Sequence, residues 1–396
     1  MKNWLLFSFI LLLPLQWLIV RLTGTALSEL NVALLAGIGI FGAAFLLSWA
    51  AELAQLEVSQ TLALAALALI AVLPEYAVDM YFAWQGGKDP VYAGYATANM
   101  TGANRLLIGV GWSGVVFAAW LRHRARQIVL PAGMSVEMRY LALATIYAFV
   151  IPLKGTLSLI DSVVFLGIFA LYVRAGAQAA VIEPHLEGPA RQIAAMPVRT
   201  RRAITIFLFV YAAVAIILSA EPFAESLLAT GRHLGVEEFI LVQWIAPLVS
   251  EAPELIVAIL FVLRGRAAAG MGTLLSSKVN QWTLLVGMIP AVYSLSAGHV
   301  GAMHLDERQI EEMLLTAAQS LFALAIVSNL QFGLAEAAIL LATFVPQPFF
   351  TSPFSRYVYS GFYVLGFVAI MAFSATTRRA CWDLVRGWRG AVAPPA

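Results

Sequence analysis

The chain has 396 residues, of which 61% are hydrophobic and 12% charged, with a net charge of +2 and one cysteine. A soluble domain carries about 25% charged residues, so a soluble fold, a nucleic-acid-binding surface and a disulfide scaffold are excluded. Apolar runs of 18 residues or more recur instead, and they read as membrane helices, since about 20 residues cross the hydrocarbon core.

Twelve spans follow in chain order, at 4–22, 31–53, 60–84, 92–120, 138–153, 156–175, 203–220, 238–263, 268–293, 312–329, 332–346 and 356–375. The first reads as a span, its apolar core being long for a signal peptide, the alternative that Lys2 before it and the small residues of "TGTALS" after it leave open. The eleventh is short for a full crossing. With both termini on one side, sixteen of the 24 basic residues fall on that side and six on the other. The positive-inside rule then makes the termini cytoplasmic. The acidic stretch "HLDERQIEEM" reads as an outside loop, with Arg308 and Arg356 on that side. "RHRAR" and "RTRR" read as topology determinants and headgroup contacts, not as nucleic-acid sites. Two basic residues, Arg105 and Lys278, fall inside spans.

A proline-glutamate pair occurs twice, at Pro74-Glu75 and Pro253-Glu254. Each stands in mid-span and is followed by a helix rich in small and polar residues, "YATANMTGANRLLIGVGW" and "GMGTLLSSKVNQWTLLVGMIP". Such residues allow close helix packing; Gly102, Gly109, Gly111, Gly270 and Gly272 would permit close backbone approach. Glu75 is in the third span and Glu254 in the eighth, so the two copies enter the membrane from opposite sides. An inverted repeat with matching helix-breaking signals points to a transporter whose site lies at the bilayer midplane. Each proline removes a backbone donor and frees a carbonyl, so the expectation is two discontinuous helix pairs.

A carboxylate in mid-membrane is costly unless paired, protonated or bound to a metal ion. One reading pairs Arg105 with Glu75 and Lys278 with Glu254 as packing ion pairs. The reading favoured by the symmetry makes Glu75 and Glu254, with Glu251, a cation or proton site. Asp79, one turn after Glu75, either supports that site or serves packing alone. The five histidines lie outside the spans, and no phosphate-binding glycine loop or metal-ligand cluster is present, so an enzyme is not expected.

These residues resemble the two alpha repeats of the sodium/calcium exchanger (calcium:cation antiporter) superfamily. "IAVLPE" and "VSEAPE" are similar to its G-T-S-x-P-E stretch, and "ANMTGAN" (98–104) and "GTLLSSK" (272–278) to its G-N-x-x-G-S-N stretch. The resemblance covers residues 31–175 and 203–346, with motif regions at 71–112 and 247–290. Residues 1–30 and 347–396 add a helix at each end, and 176–202 forms a cytoplasmic connector. It implies an all-α integral membrane protein, an inverted repeat of five plus five helices with one extra at each end. It further implies that Glu75 and Glu254 are the paired ion-binding glutamates, that Ser250, Ser277, Asn99 and Asn104 are ligands, and that Glu221 and Glu225 lie on a tilted gating helix.

The sequence departs from the family pattern at several places. Ala71 and Val72 replace Thr and Ser, Glu251 replaces a serine, Ala103 a serine, Leu107 and Gln281 polar ligands, and Lys278 an asparagine. Gln281 remains a candidate ligand, and Arg105 and Lys278 become internal counter-charges. Calcium favours six to eight oxygens, and a site with fewer oxygens and a nearby ammonium fits cation/proton exchange. The expected function is secondary antiport of Na⁺ or Ca²⁺ against H⁺ or Na⁺ by alternating access, the spans at 31–53 and 203–220 sliding. The alternative is a transport-inactive sensor or scaffold on the same fold. No cofactor is expected, and the partners are inorganic cations and the lipid bilayer, with the chain acting as a monomer in a bacterial inner membrane.

Overall fold

In hydrocarbon a backbone can satisfy its polar groups only within itself, so the apolar runs become helices. The computed structural model describes residues 2–54, 56, 73–177, 186 and 188–386. The first half of the helix sequence comprises α1 (Lys2–Thr23), α2 (Glu29–Ala54), α3 (Leu73–Gly86), α4 (Pro90–Leu106), α5 (Ser113–His123), α6 (Ser135–Ala148), α7 (Val150–Lys154) and α8 (Leu159–Ala177). After the short α9 (Gly188–Ala194) come α10 (Val198–Leu234), α11 (Glu238–Leu263), α12 (Ala267–Asn280), α13 (Val286–Ala297), α14 (Glu307–Val327) and α15 (Leu334–Phe344). The chain ends on α16 (Pro353–Phe373) and α17 (Ala375–Arg386). Among the described residues, nine helical stretches are long and apolar enough to cross a membrane, and α15 is a shorter apolar helix. All twelve expected spans meet a helix. Residues 60–72 of the third span, including Ala71 and Val72, lie outside the described residues, as do 178–185 and 187 of the connector and the tail beyond 386.

The architecture is the all-α inverted repeat expected, α2–α8 in one direction and α10–α15 in the other. Its helices gather into two compact units, each drawing on both repeats: 1–103, 158–253 and 284–303 in one, 104–157, 254–283 and 304–396 in the other.

In the first unit α2 and α10 lie against each other along their length. A β-carbon added to Gly37 would come 3.1 Å from the Phe223 ring, so the missing side chain is what allows this approach. The expected span at 203–220 does not end where predicted. α10 runs unbroken for 37 residues, about 55 Å at 1.5 Å per residue, well beyond the ~30 Å of a hydrocarbon core. Pro222 sits inside it and cannot bond the Leu218 carbonyl four residues back. The Trp17 indole of α1 donates to that carbonyl at 3.4 Å, which lets the helix continue. The expected break at Pro253 is likewise absent, for α11 passes through both Pro247 and Pro253.

In the second unit α14 packs against α16 and α6. The strand Gln127–Val129 pairs antiparallel with Gln331–Gly333, Ile128 opposite Phe332. This pairing uses the residues just before α15, which explains why that span is short. "HLDERQIEEM" is not a loop. Asp306 caps α14 by accepting from the Gln309 amide at 2.8 Å, and Gln309 Nε2 reaches back to it at 2.9 Å. Asp306 is thus the N-cap of α14, and the helix carries Glu311 and Glu312 into the interior, 4% and 3% exposed.

Candidate cation-binding site

The first unit carries one half of the motif residues. Pro74 lies in the first turn of α3 beside Glu75, which is 2% exposed, and Asp79, one turn on, is wholly buried. Asn99 of α4 donates to Asp79 Oδ1 at 2.9 Å. On the same helix the Thr97 and Thr101 hydroxyls turn back to carbonyls of their own helix, at 3.0 and 2.8 Å. Gly102 of α4 packs against α11: a β-carbon there would fall on the Gln243 carbonyl, the carbonyl that Pro247 leaves without its helical donor. Glu251 is 2% exposed. Ser250 is buried too, but its hydroxyl is within reach of the Ala246 and Pro247 carbonyls, at 3.2 and 3.3 Å. The same unit holds the acidic positions of α10. Glu225 accepts from Tyr81 at 2.6 Å and from Tyr92 at 2.8 Å, Glu238 accepts from Tyr95 and pairs with Arg232 at 2.5 Å, and Glu221 is exposed.

The second unit carries the other half. Glu254 accepts a hydrogen bond from the Ser277 hydroxyl, which fixes one carboxylate oxygen. The next residue, Lys278, is wholly buried. Its ammonium donates to Asn104 Oδ1 at 2.7 Å and to the Asn104 backbone carbonyl at 3.1 Å. It also lies 4.5 Å from the centre of the Trp282 ring, within cation–π range. Asn104 and Lys278 occupy the same place in the two copies of the motif, so the repeats meet at these two side chains. Three residues after each of them the helix widens into a π turn, Leu107–Trp112 in one copy and Gln281–Leu285 in the other. Single π turns inside α-helices are frequent at functional sites. Gln281, the first residue of the second π turn, is fully buried.

Arg105 finds a countercharge that neither motif supplies. Its Nη2 lies 2.5 Å from Glu312 of α14, and its Nη1 donates to Gln347 at 3.1 Å. Arg356 of α16 joins the cluster, 2.7 Å from Glu311 and 3.7 Å from Glu312. It is 6% exposed, a correction to its expected place in an outside loop. Gln347 in turn donates to Tyr363 at 3.0 Å. Arg105, Arg356, Glu311 and Glu312 form a buried cluster beside Asn104, with the half-buried Arg308 in electrostatic reach of all four.

The structure brings together Asp79 with Asn99, Glu254 with Ser277, and Asn104 with Lys278. Ser250 it turns toward its own helix. Glu311, Glu312, Arg356, Gln347 and Tyr363 escaped the sequence reading. The D-E-R-Q capping pattern at 306–309 was the signal that the acidic pair belongs to a helix.

Sequence and structure comparisons fit this arrangement. The sodium/calcium exchanger protein family matches residues 29–175 and 204–351. A solved H⁺/Ca²⁺ exchanger, CAX, is 44% identical over 98% of each chain, with a TM-score of 0.94. Native YfkE is 16% identical over 91% of this chain and 99% of its own, TM-score 0.61. The sodium-calcium exchanger NCX_Mj is 16% identical over 85% and 98%, TM-score 0.52. The last two likenesses concern the fold alone. A comparison with curated proteins gave no match.

Proposed function

Since the chain belongs to the sodium/calcium exchanger family and is a secondary cation antiporter of that type, we propose that it exchanges calcium for protons. The observation that carries this reading is the likeness to a solved H⁺/Ca²⁺ exchanger, 44% identical over 98% of each chain. Here the second copy offers an ammonium where the family has an amide, and that ammonium engages both oxygens of Asn104. The carboxylates of Glu75 and Glu254 remain, and they suit a divalent ion or protons. One Ca²⁺ or two protons neutralise the same pair of charges, which is what an exchange site requires. The likeness to a H⁺/Ca²⁺ exchanger over the full chain supports the same ion pair.

In this account the proton-loaded and calcium-loaded forms alternate between the two sides. Ser277 orients Glu254, while Glu251, Ser250 and Gln281 supply further oxygens. Asp79 with Asn99 stiffens the start of α3 and the middle of α4. The α2–α10 pair moves as one body, since separating it would expose the contact surface that the two helices share along their length. The antiporter works as a monomer, needs no cofactor and contacts no nucleic acid. It resides in a bacterial inner membrane with both termini cytoplasmic, a placement supported by the segregation of its basic loop residues.

Purified protein in liposomes tests the assignment. An imposed pH gradient should drive Ca²⁺ uptake at zero sodium, and a sodium gradient at equal pH should not. Uptake driven by sodium alone overturns the choice of counter-ion. Absence of flux for Na⁺, K⁺, Ca²⁺ and Mg²⁺ alike restores the inactive scaffold.

A further inference from the structure

The helices of the first unit fall into two sets by the contacts that fix them. α1, α2 and α10 form one set. α2 lies along α10, and α1 is tied to α10 twice, by the Trp17 indole on the Leu218 carbonyl at 3.4 Å and by the Tyr211 hydroxyl on the Leu11 carbonyl at 2.9 Å. α3, α4, α11 and α13 form the other set. A β-carbon on Gly86 would lie 2.9 Å from the Ala93 nitrogen, so α3 and α4 close tightly on each other at their turn. Ser296 of α13 donates to the Trp84 carbonyl of α3 at 2.5 Å. A β-carbon on Gly102 of α4 would fall on the Gln243 carbonyl of α11.

Glu225 of α10 reaches from the first set to the second. Its Oε1 accepts from the Tyr81 hydroxyl of α3 at 2.6 Å and from the Tyr92 hydroxyl of α4 at 2.8 Å. Hydrogen bonds from a hydroxyl to a carboxylate are about twice as strong as neutral ones. Apolar helix surfaces slide by small steps, because each dispersion contact is weak. A carboxylate oxygen held by two hydroxyls cannot follow such a slide without losing both bonds. A second link between the sets, Arg232 with Glu238 at 2.5 Å, stands with the Arg232 side chain 62% exposed, where an ion pair contributes little. Tyr81 is six residues beyond Glu75 on α3, about 9 Å along the axis. Tyr92 lies in the first turn of α4. The three-residue contact therefore stands between the level of Glu75 and the end of the α3–α4 hairpin.

We propose that Tyr81, Tyr92 and Glu225 form a latch that holds the α1–α2–α10 set against the α3–α4 hairpin and must open before α10 slides. This rests on the alternating-access reading above and adds to it the atoms at which the moving helices are held. The latch makes the movement two-state: α10 is either held at both hydroxyls or released from both. It does not depend on which cations are exchanged.

The test uses the full chain in liposomes, with Cys381→Ser removing the native thiol and spin labels on Lys88→Cys and Val210→Cys, both exposed positions. Val210 is fifteen residues before Glu225 on α10, about 22 Å along the axis, so the pair reports movement of α10 against the α3–α4 turn. Double electron–electron resonance with and without Ca²⁺ should give two distances whose proportions change with the ion. Tyr81→Phe and Tyr92→Phe should each shift the ratio about tenfold or more away from the distance of this structure, the worth of one hydrogen bond to a charged group, and the double variant further. Glu225→Gln keeps an acceptor and should shift it less than Glu225→Ala. Tyr95→Phe removes a hydrogen bond of the same kind from Glu238 of α11 and should leave the ratio as it is. Should the double variant fail to fold, the single variants and Glu225→Gln decide. A single distance for the parent protein under every ion condition overturns the sliding of α10, and the latch with it. Two distances in the parent, with a ratio that the Tyr81, Tyr92 and Glu225 variants change no more than Tyr95→Phe does, overturn the latch alone.

Discussion

Replacing Glu312 by Gln removes one charge from the buried cluster and leaves Arg105 and Arg356 sharing the carboxylate of Glu311. The lost contacts are Arg105 at 2.5 Å and Arg356 at 3.7 Å, between side chains at most 8% exposed. Breaking one partner of a buried pair costs about 3–5 kcal/mol, because the remaining charge stays out of water. Arg105→Met alone should cost a similar amount, leaving an excess negative charge. The double variant removes both members of the Arg105–Glu312 pair, keeps Arg356 and Glu311 2.7 Å apart, and should cost clearly less than the sum. The assay is thermal unfolding of the purified protein in detergent by intrinsic fluorescence, with all four forms of the cycle. Singles that each lower Tm by several degrees, with a double no worse than the milder single, support the cluster as a unit. Strictly additive effects, or a silent Glu312→Gln, would show that the two side chains do not interact.

Three shorter predictions follow from the motif helices. Lys278→Asn restores the amide at the meeting point of the repeats and removes a positive charge next to Ser277; the KM for Ca²⁺ should fall about tenfold, and an unchanged KM in liposome flux contradicts the role given to the ammonium. Protons compete for the same carboxylates as the cation, so the apparent KM for Ca²⁺ should rise as pH falls, by up to about tenfold per pH unit for each competing proton. A pH-independent KM from 6 to 8 rules out shared carboxylates. Gly102→Ala drives a methyl group onto the Gln243 carbonyl and should destabilise the protein by about 1–3 kcal/mol, read as a lower Tm; a neutral substitution shows that α4 and α11 have room to separate.

The helices, their order and the inverted motif could be read from the chain because membrane spans announce themselves by length and apolarity. Misreadings arose where a distant residue changes a local rule. Pro222 looks like a helix end until Trp17, some 200 residues away, takes up the orphaned Leu218 carbonyl. Glu311 and Glu312 look like loop residues because the charges that allow their burial sit on α4 and α16. Charge counting placed Arg356 outside for the same reason. Within the candidate site, no local pattern signals that Lys278 reaches the side chain of its own counterpart in the other repeat. Contacts between residues 174 positions apart are set by topology, which a local pattern does not contain.

Glu75→Gln and Glu254→Gln, each reconstituted and assayed for Ca²⁺ uptake under an imposed pH gradient, put the greatest strain on the proposed mechanism. Both substitutions keep the side-chain shape and a hydrogen-bond acceptor while removing one negative charge. Each should reduce uptake to the level of protein-free liposomes while the protein remains folded. Wild-type uptake by either variant would mean that the exchanged ions are carried by other groups.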